Sequence, residues 1–115
     1  MEDLSGKWLY REEYERGKST GEMTLRQEGA RLSGKIIFMD RADNGESFMM
    51  QEQLSGTLDG KKVRLEATEA DVIHAERAIE YKLDHWFGLL VDENTIIGLS
   101  KDEQEIEGYF TFSRG

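Results

Sequence analysis

Ile79-Glu80-Tyr81-Lys82-Leu83-Asp84-His85-Trp86-Phe87-Gly88-Leu89-Leu90-Val91 is the stretch that decides the fold class. Large side chains fall on every second position from Ile79 to Val91, with Glu80, Lys82 and Asp84 between them. A period of two is what a strand shows when one face meets a core and the other meets water. This reading points Ile79, Tyr81, Leu83, His85, Phe87, Leu89 and Val91 inward.

The same alternation extends through the rest of the chain. Trp8, Tyr10, Glu12 and Tyr14 share one face of a first segment, and Met23 and Leu25 one face of a second. Leu32, Gly34, Ile36 and Phe38 align in a third; Phe48, Met50, Glu52, Leu54 and Leu58 align in a fourth. Val63, Leu65 and Ala67 face inward in the fifth, Ile97 and Leu99 in the seventh, and Ile106, Gly108, Phe110 and Phe112 in the eighth. Between them lie turn signals: Arg16-Gly17-Lys18-Ser19, Glu28-Gly29-Ala30, Asp43-Asn44-Gly45-Glu46, Asp59-Gly60, Asp92-Glu93-Asn94 and Lys101-Asp102-Glu103-Gln104. Asn-Gly and Asp-Gly are strong hairpin signals because both residues tolerate positive φ.

Eight strands joined by tight turns form a meander, and a long twisted meander removes its exposed edges by closing. The expected fold is therefore all-β: one eight-stranded antiparallel up-and-down barrel over residues 1–115. Leu4-Ser5-Gly6, Leu32-Ser33-Gly34 and Leu54-Ser55-Gly56 repeat a tripeptide whose glycine suits the sharp bends of a small barrel. Residues 69–79 leave two readings open. Val72, Ala75, Glu76 and Ile79 have the spacing of a short helix across a barrel mouth, and a strand extension followed by a loop fits equally well.

Composition narrows the function. The chain has 115 residues, 37% of them hydrophobic, which supports one core. Its 24 Asp plus Glu outweigh 15 Lys plus Arg, giving a net charge of −9 that repels nucleic-acid backbones and anionic membranes. The densest basic spot, Lys61-Lys62-Val63-Arg64, alternates like a strand. There is no Cys, which excludes disulfides and thiolate chemistry and fits a cytoplasmic protein. Met1-Glu2-Asp3-Leu4 is acidic where a signal peptide is basic, and the apolar run Trp86 to Val91 is too short to span a membrane as a helix.

Two short motifs carry a resemblance. Gly6-Lys7-Trp8 opens the first strand as a Gly-x-Trp, and Tyr109-Phe110-Thr111-Phe112-Ser113-Arg114 closes the chain as an aromatic strand followed by Arg. With the eight-segment meander, this resembles lipocalin-like proteins and the calycin barrels more broadly. The resemblance implies that Trp8 plugs the closed end with Arg114 stacked over it, a cation–π contact of about 0.5–2 kcal/mol. A second motif of the Thr-Asp-Tyr type is absent.

Polar groups on inward faces are the functional candidates, because burying one without a partner costs about 1–3 kcal/mol. They are Glu12, Gln27, Glu52 and His85, with the phenols of Tyr10, Tyr14 and Tyr81. Phe38, Met50 and Phe110 complete an apolar lining. No nucleophile elbow, phosphate loop or metal-ligand spacing accompanies them, and Asp40–Glu46 lacks the ligand pattern of a calcium loop. The expectation is a non-catalytic barrel, without cofactor or metal, that holds a small apolar or amphipathic ligand inside. Two alternatives stay open: a filled barrel acting as a protein-interaction module, and a small enzyme using interior carboxylates such as Glu12 and Glu52. Met39 and Met49 oppose the core parity and suit a homodimer or partner surface.

Overall fold

The computed structural model describes residues 3–75, 83–103 and 105–114. Eight strands follow one another: β1 (Gly6–Tyr14), β2 (Gly17–Glu28), β3 (Arg31–Ala42), β4 (Ser47–Asp59), β5 (Lys62–Ala75), β6 (Asp84–Asp92), β7 (Thr95–Asp102) and β8 (Glu107–Arg114). Each pairs antiparallel with the next, and β1 pairs with β8, so the sheet closes as an up-and-down barrel. The hairpins turn at Asn44-Gly45 and just after Asp59, as the sequence signals require. The first turn comes earlier than expected: Gly17, Lys18 and Ser19 already belong to β2, where Gly17 faces Tyr14.

Of the two readings of 69–79, the strand extension holds for its first seven residues. β5 runs on to Ala75 and pairs with β4 throughout, through irregularities beside Met49 and Gln53 that absorb extra residues of β5. Residues 76–79, with Tyr81, lie outside the described residues. Among the described residues, β5 pairs with β6 only over Lys62–Glu66 against His85–Leu89. The outer half of β5 is held from the β4 side.

The core is a cylinder of inward side chains, with Trp8, Met23, Leu32, Ile36, Met50, Leu65, Trp86, Ile96 and Phe112 almost fully buried. Strands β1 to β5 and β8 keep the expected inward faces, although Ile106 is exposed ahead of β8. In β6 and β7 the expected face is inverted. Trp86 and Leu90 point in; Phe87, Leu89, Val91, Ile97 and Leu99 point out and stay about half exposed. Both faces of β6 are apolar, so counting greasy residues selects the wrong one. What decides the orientation is a glycine pair. Gly88 lies opposite Gly98, and a Cβ on Gly98 would collide with the Phe87 carbonyl oxygen. Two bare backbones meet on the concave side, and the bulky neighbours Trp86 and Ile96 follow them inward.

One end is closed by the chain's own start. Leu4 is buried there, its N–H donating to Gln27 Oε1 at 2.8 Å, while the Gln27 N–H donates to Ser5 Oγ at 2.9 Å. Gln27 therefore ties this end together. Trp8 Nε1–H donates to the Leu4 carbonyl at 2.9 Å. The Arg114 guanidinium lies 4.1 Å from the centre of the Trp8 ring and donates to the Ser5 and Asp3 carbonyls at 2.8 and 2.5 Å. Gly6 has a φ of +121°, which favours glycine, and its missing side chain leaves Arg114 Nη1 room 3.3 Å from where a Cβ would stand.

Candidate functional site

Acidic groups and their hydrogen-bond donors gather in the barrel interior toward the opposite end. Glu12 follows Tyr10 on the inward face of β1, and both the Tyr10 hydroxyl (2.7 Å) and Trp86 Nε1–H (3.3 Å) donate to Glu12 Oε1. The other oxygen, Oε2, lies toward Ser100 and the bare Gly108; a Cβ on that glycine would come within 3.0 Å of both Glu12 Oε2 and Ser100 Oγ. Burial drives the Glu12 carboxyl up to about 7, against the lowering effect of Tyr10 and with a further push from the charge of Asp84. Tyr10, fully enclosed beside this carboxylate, is raised well above its ordinary value, first by burial and then by Glu12.

Glu52 is the deeper acid. It sits on β4 across from Ala70 and has no exposed surface. Its side chain meets that of Asp84 on β6, an acid-to-acid contact that needs a proton between the two carboxyl groups. Burial first, then Asp84, and more weakly the charge of Glu12, hold the Glu52 carboxyl far above the usual range, so it carries its proton at neutral pH. At the level of Glu52, β5 carries small side chains, Ala67 and Ala70, toward the core.

A second polar node lies nearby. The Tyr14 hydroxyl donates to Asp40 Oδ1 at 2.5 Å, and Ser19 Oγ–H donates to Asp40 Oδ2 at 3.0 Å. Burial raises Asp40 and these two donors lower it; burial likewise raises Tyr14. Both Asp40 oxygens are thus satisfied, and this node is structural.

Aromatic rings form the wall beside Glu12. Tyr10 meets Phe38 and Trp86 edge-on at 5.8 and 6.2 Å between centroids and Phe112 at a tilt at 5.4 Å, and Phe110 packs on Phe112 at 4.9 Å. Tyr10, Glu12, Phe38, Met50, Glu52 and Phe110 therefore share the interior, and Tyr14 joins them at the Asp40 node. His85 does not. It points outward from β6, half exposed, with Nδ1 3.7 Å from Glu66 Oε2. The inverted face of β6 removes His85 and brings in Asp84 and Trp86, which alternation read from the apolar count had turned to water. Among the described residues no group of His, Asp and Glu is arranged to hold a metal ion.

On the outside, Phe87, Leu89, Ile97, Leu99 and Tyr109 line a groove of about 850 Å³, with Arg64 stacked over Phe87 at 5.5 Å. It occupies the convex side of the strands that bend at Gly88 and Gly98.

No family model and no curated protein matches the chain. Solved structures do. A redesigned β-barrel, mFAP1, bound to DFHBI, superposes with a TM-score of 0.67 at 11% identity, covering 96% of this chain and 94% of that one. The related mFAP0, also bound to DFHBI, gives 0.65 at 12% identity over 96% and 98% of the two chains. A fluorescence-activating β-barrel designed de novo gives 0.60 at 14% identity over 97% and 94%. At these identities the likeness is one of fold: this chain is an eight-stranded antiparallel β-barrel of the same architecture.

Proposed function

We propose that the protein is a non-catalytic, lipocalin-like barrel that holds a small, mostly apolar molecule in its interior. The observation that carries this reading is a buried pair of acids: Glu52, with no exposed surface, meets Asp84 in the interior, near the wall of aromatic rings beside Glu12. Burying carboxyl groups together costs stability, and a fold that keeps them has a use for them. Tyr10, Phe38, Met50 and Phe110 supply apolar contact, and Glu12 and Glu52 supply orientation. The lipocalin-like part of the reading draws support from Trp8 capped by Arg114 at the closed end. Similar barrels bound to DFHBI indicate that this architecture accommodates a small organic molecule.

The outer groove favours a second reading, in which the barrel is filled and its convex face receives a partner. One experiment separates the two. Native mass spectrometry of the purified chain is expected to show a monomer carrying a co-purified small molecule, or taking one up from a panel of apolar compounds. The Glu52→Leu variant is expected to lose that uptake, while Leu99→Ser on the outer face keeps it. An empty chain that takes up nothing across the panel sinks the interior reading, and uptake abolished by Leu99→Ser moves the site to the outer groove.

A further inference from the structure

The outer groove is a trough between two ladders of side chains that cross four strands. Arg64, Phe87, Leu99 and Tyr109 stand opposite one another on β5, β6, β7 and β8 and form one wall. Lys62, Leu89, Ile97 and Thr111 form the other. The row between them runs through Gly88 and Gly98 and faces the interior, so the floor of the trough is bare backbone. The apolar side chains of both walls stay about half exposed or more. Neighbouring strands lie about 4.8 Å apart, so the trough runs roughly 15 Å from β5 to β8. Its volume of about 850 Å³ is that of a site for a small organic molecule.

The two ends of the trough differ in charge. Each wall begins on β5 with a cation, Lys62 or Arg64, and ends on β8 with a hydroxyl, that of Thr111 or Tyr109. Among the described residues neither cation has an ion-pair partner, whereas Lys7, Lys18, Arg26 and Lys101 each have one. Arg64 instead stacks over the Phe87 ring, which holds its guanidinium at the trough. Asp59 also lines this end, so two cations stand against one acid, in a chain whose net charge is −9. Apolar walls that end in unpaired cations complement an apolar body with an anionic head. We infer that the trough binds a single-tailed amphipathic carboxylate, its head between Lys62 and Arg64 and its tail along the walls toward Tyr109. The planar guanidinium of Arg64 matches a carboxylate with two parallel hydrogen bonds. Other occupants fit less well. An extended peptide gains main-chain hydrogen bonds at a sheet edge, and the closed barrel offers none. A second copy brings its own −9 against the first. This site lies outside the barrel and is independent of any molecule held within, where buried acids disfavour an anion.

Isothermal titration calorimetry of the full chain at pH 8, below micelle-forming concentrations, compares decanoate with decylamine and decanol. Decanoate is expected to bind at least about fivefold more tightly than decylamine. Lys62→Gln combined with Arg64→Gln, at two exposed positions, is expected to weaken decanoate at least about fivefold and to leave decanol within about twofold. In an NMR titration with decanoate, the amide signals of Gly88 and Gly98 are expected to move most. Decylamine that binds as tightly as decanoate, decanoate that does not bind, decanoate indifferent to the double variant, or decanoate and decanol weakened alike would each overturn the assignment. Signals that shift mainly around Glu12 and Glu52 would overturn it too, by placing the carboxylate inside. So would a dimer in sedimentation that Leu99→Ser dissociates, because the trough would then belong to a second copy.

Discussion

Glu12 joins the acid cluster to the stability of the fold. Its carboxyl titrates near 7 when folded and near 4.5 when free of the barrel. Between those values the folded chain holds a proton that the unfolded chain releases, so stability is greatest below pH 4.5 and falls as pH rises toward 7. Linkage puts that loss on the order of 3 kcal/mol. Glu52 and Asp40, both raised, act with the same sign. The melting temperature is therefore expected to drop from pH 5 to pH 8, and Glu12→Gln is expected to flatten that slope, as followed by thermal circular dichroism. A melting temperature that rises over this range, or a slope unchanged in the variant, would count against a buried, protonating Glu12. At this scale the sequence was a good guide to β1 and β4: a Glu at an inward position of an otherwise apolar face is legible at once. Asp84 was not legible, because its inward position depends on how β6 is turned, and β6 offers two apolar faces.

Elements β6 and β7 show what a pattern of apolar residues leaves out. Phe87, Leu89, Ile97 and Leu99 form as regular an alternation as any in the chain, yet they face outward. A signal that resolves the ambiguity was present in the same residues. Gly21, Gly34 and Gly56 share the inward parity of strands whose orientation is plain, as does Gly108 in β8; Gly88 and Gly98 obey the same rule. Small tightly coiled barrels place their bare positions on the concave side, so glycine parity outranks hydrophobic count. Gly98→Ala is expected to test this. Its new methyl would meet the Phe87 carbonyl and the Gly88 backbone, and the strands would have to separate. A loss of about 1–3 kcal/mol or more is expected by chemical denaturation. A change below about 0.5 kcal/mol, the level of an ordinary surface substitution, would mean that β6 and β7 are not in this close register.

Across the whole molecule, the barrel divides its labour between two ends. One is sealed by residues 3–5, Trp8 and Arg114; toward the other the interior holds its acids and their donors. Closure itself was legible, because eight alternating segments and six turn signals admit few other solutions. The course of 69–75 was not, since Ala, Glu and Val at those positions satisfy strand and helix alike until β4 supplies a partner. The division also has an optical consequence. The chain holds two indoles: that of Trp8 lies under a guanidinium, and that of Trp86 donates to a carboxylate whose protonation changes near neutrality. Silencing the first by Trp8→Phe leaves a lone emitter wired to Glu12, so the protein carries a built-in gauge whose colour tracks the charge state of its own interior.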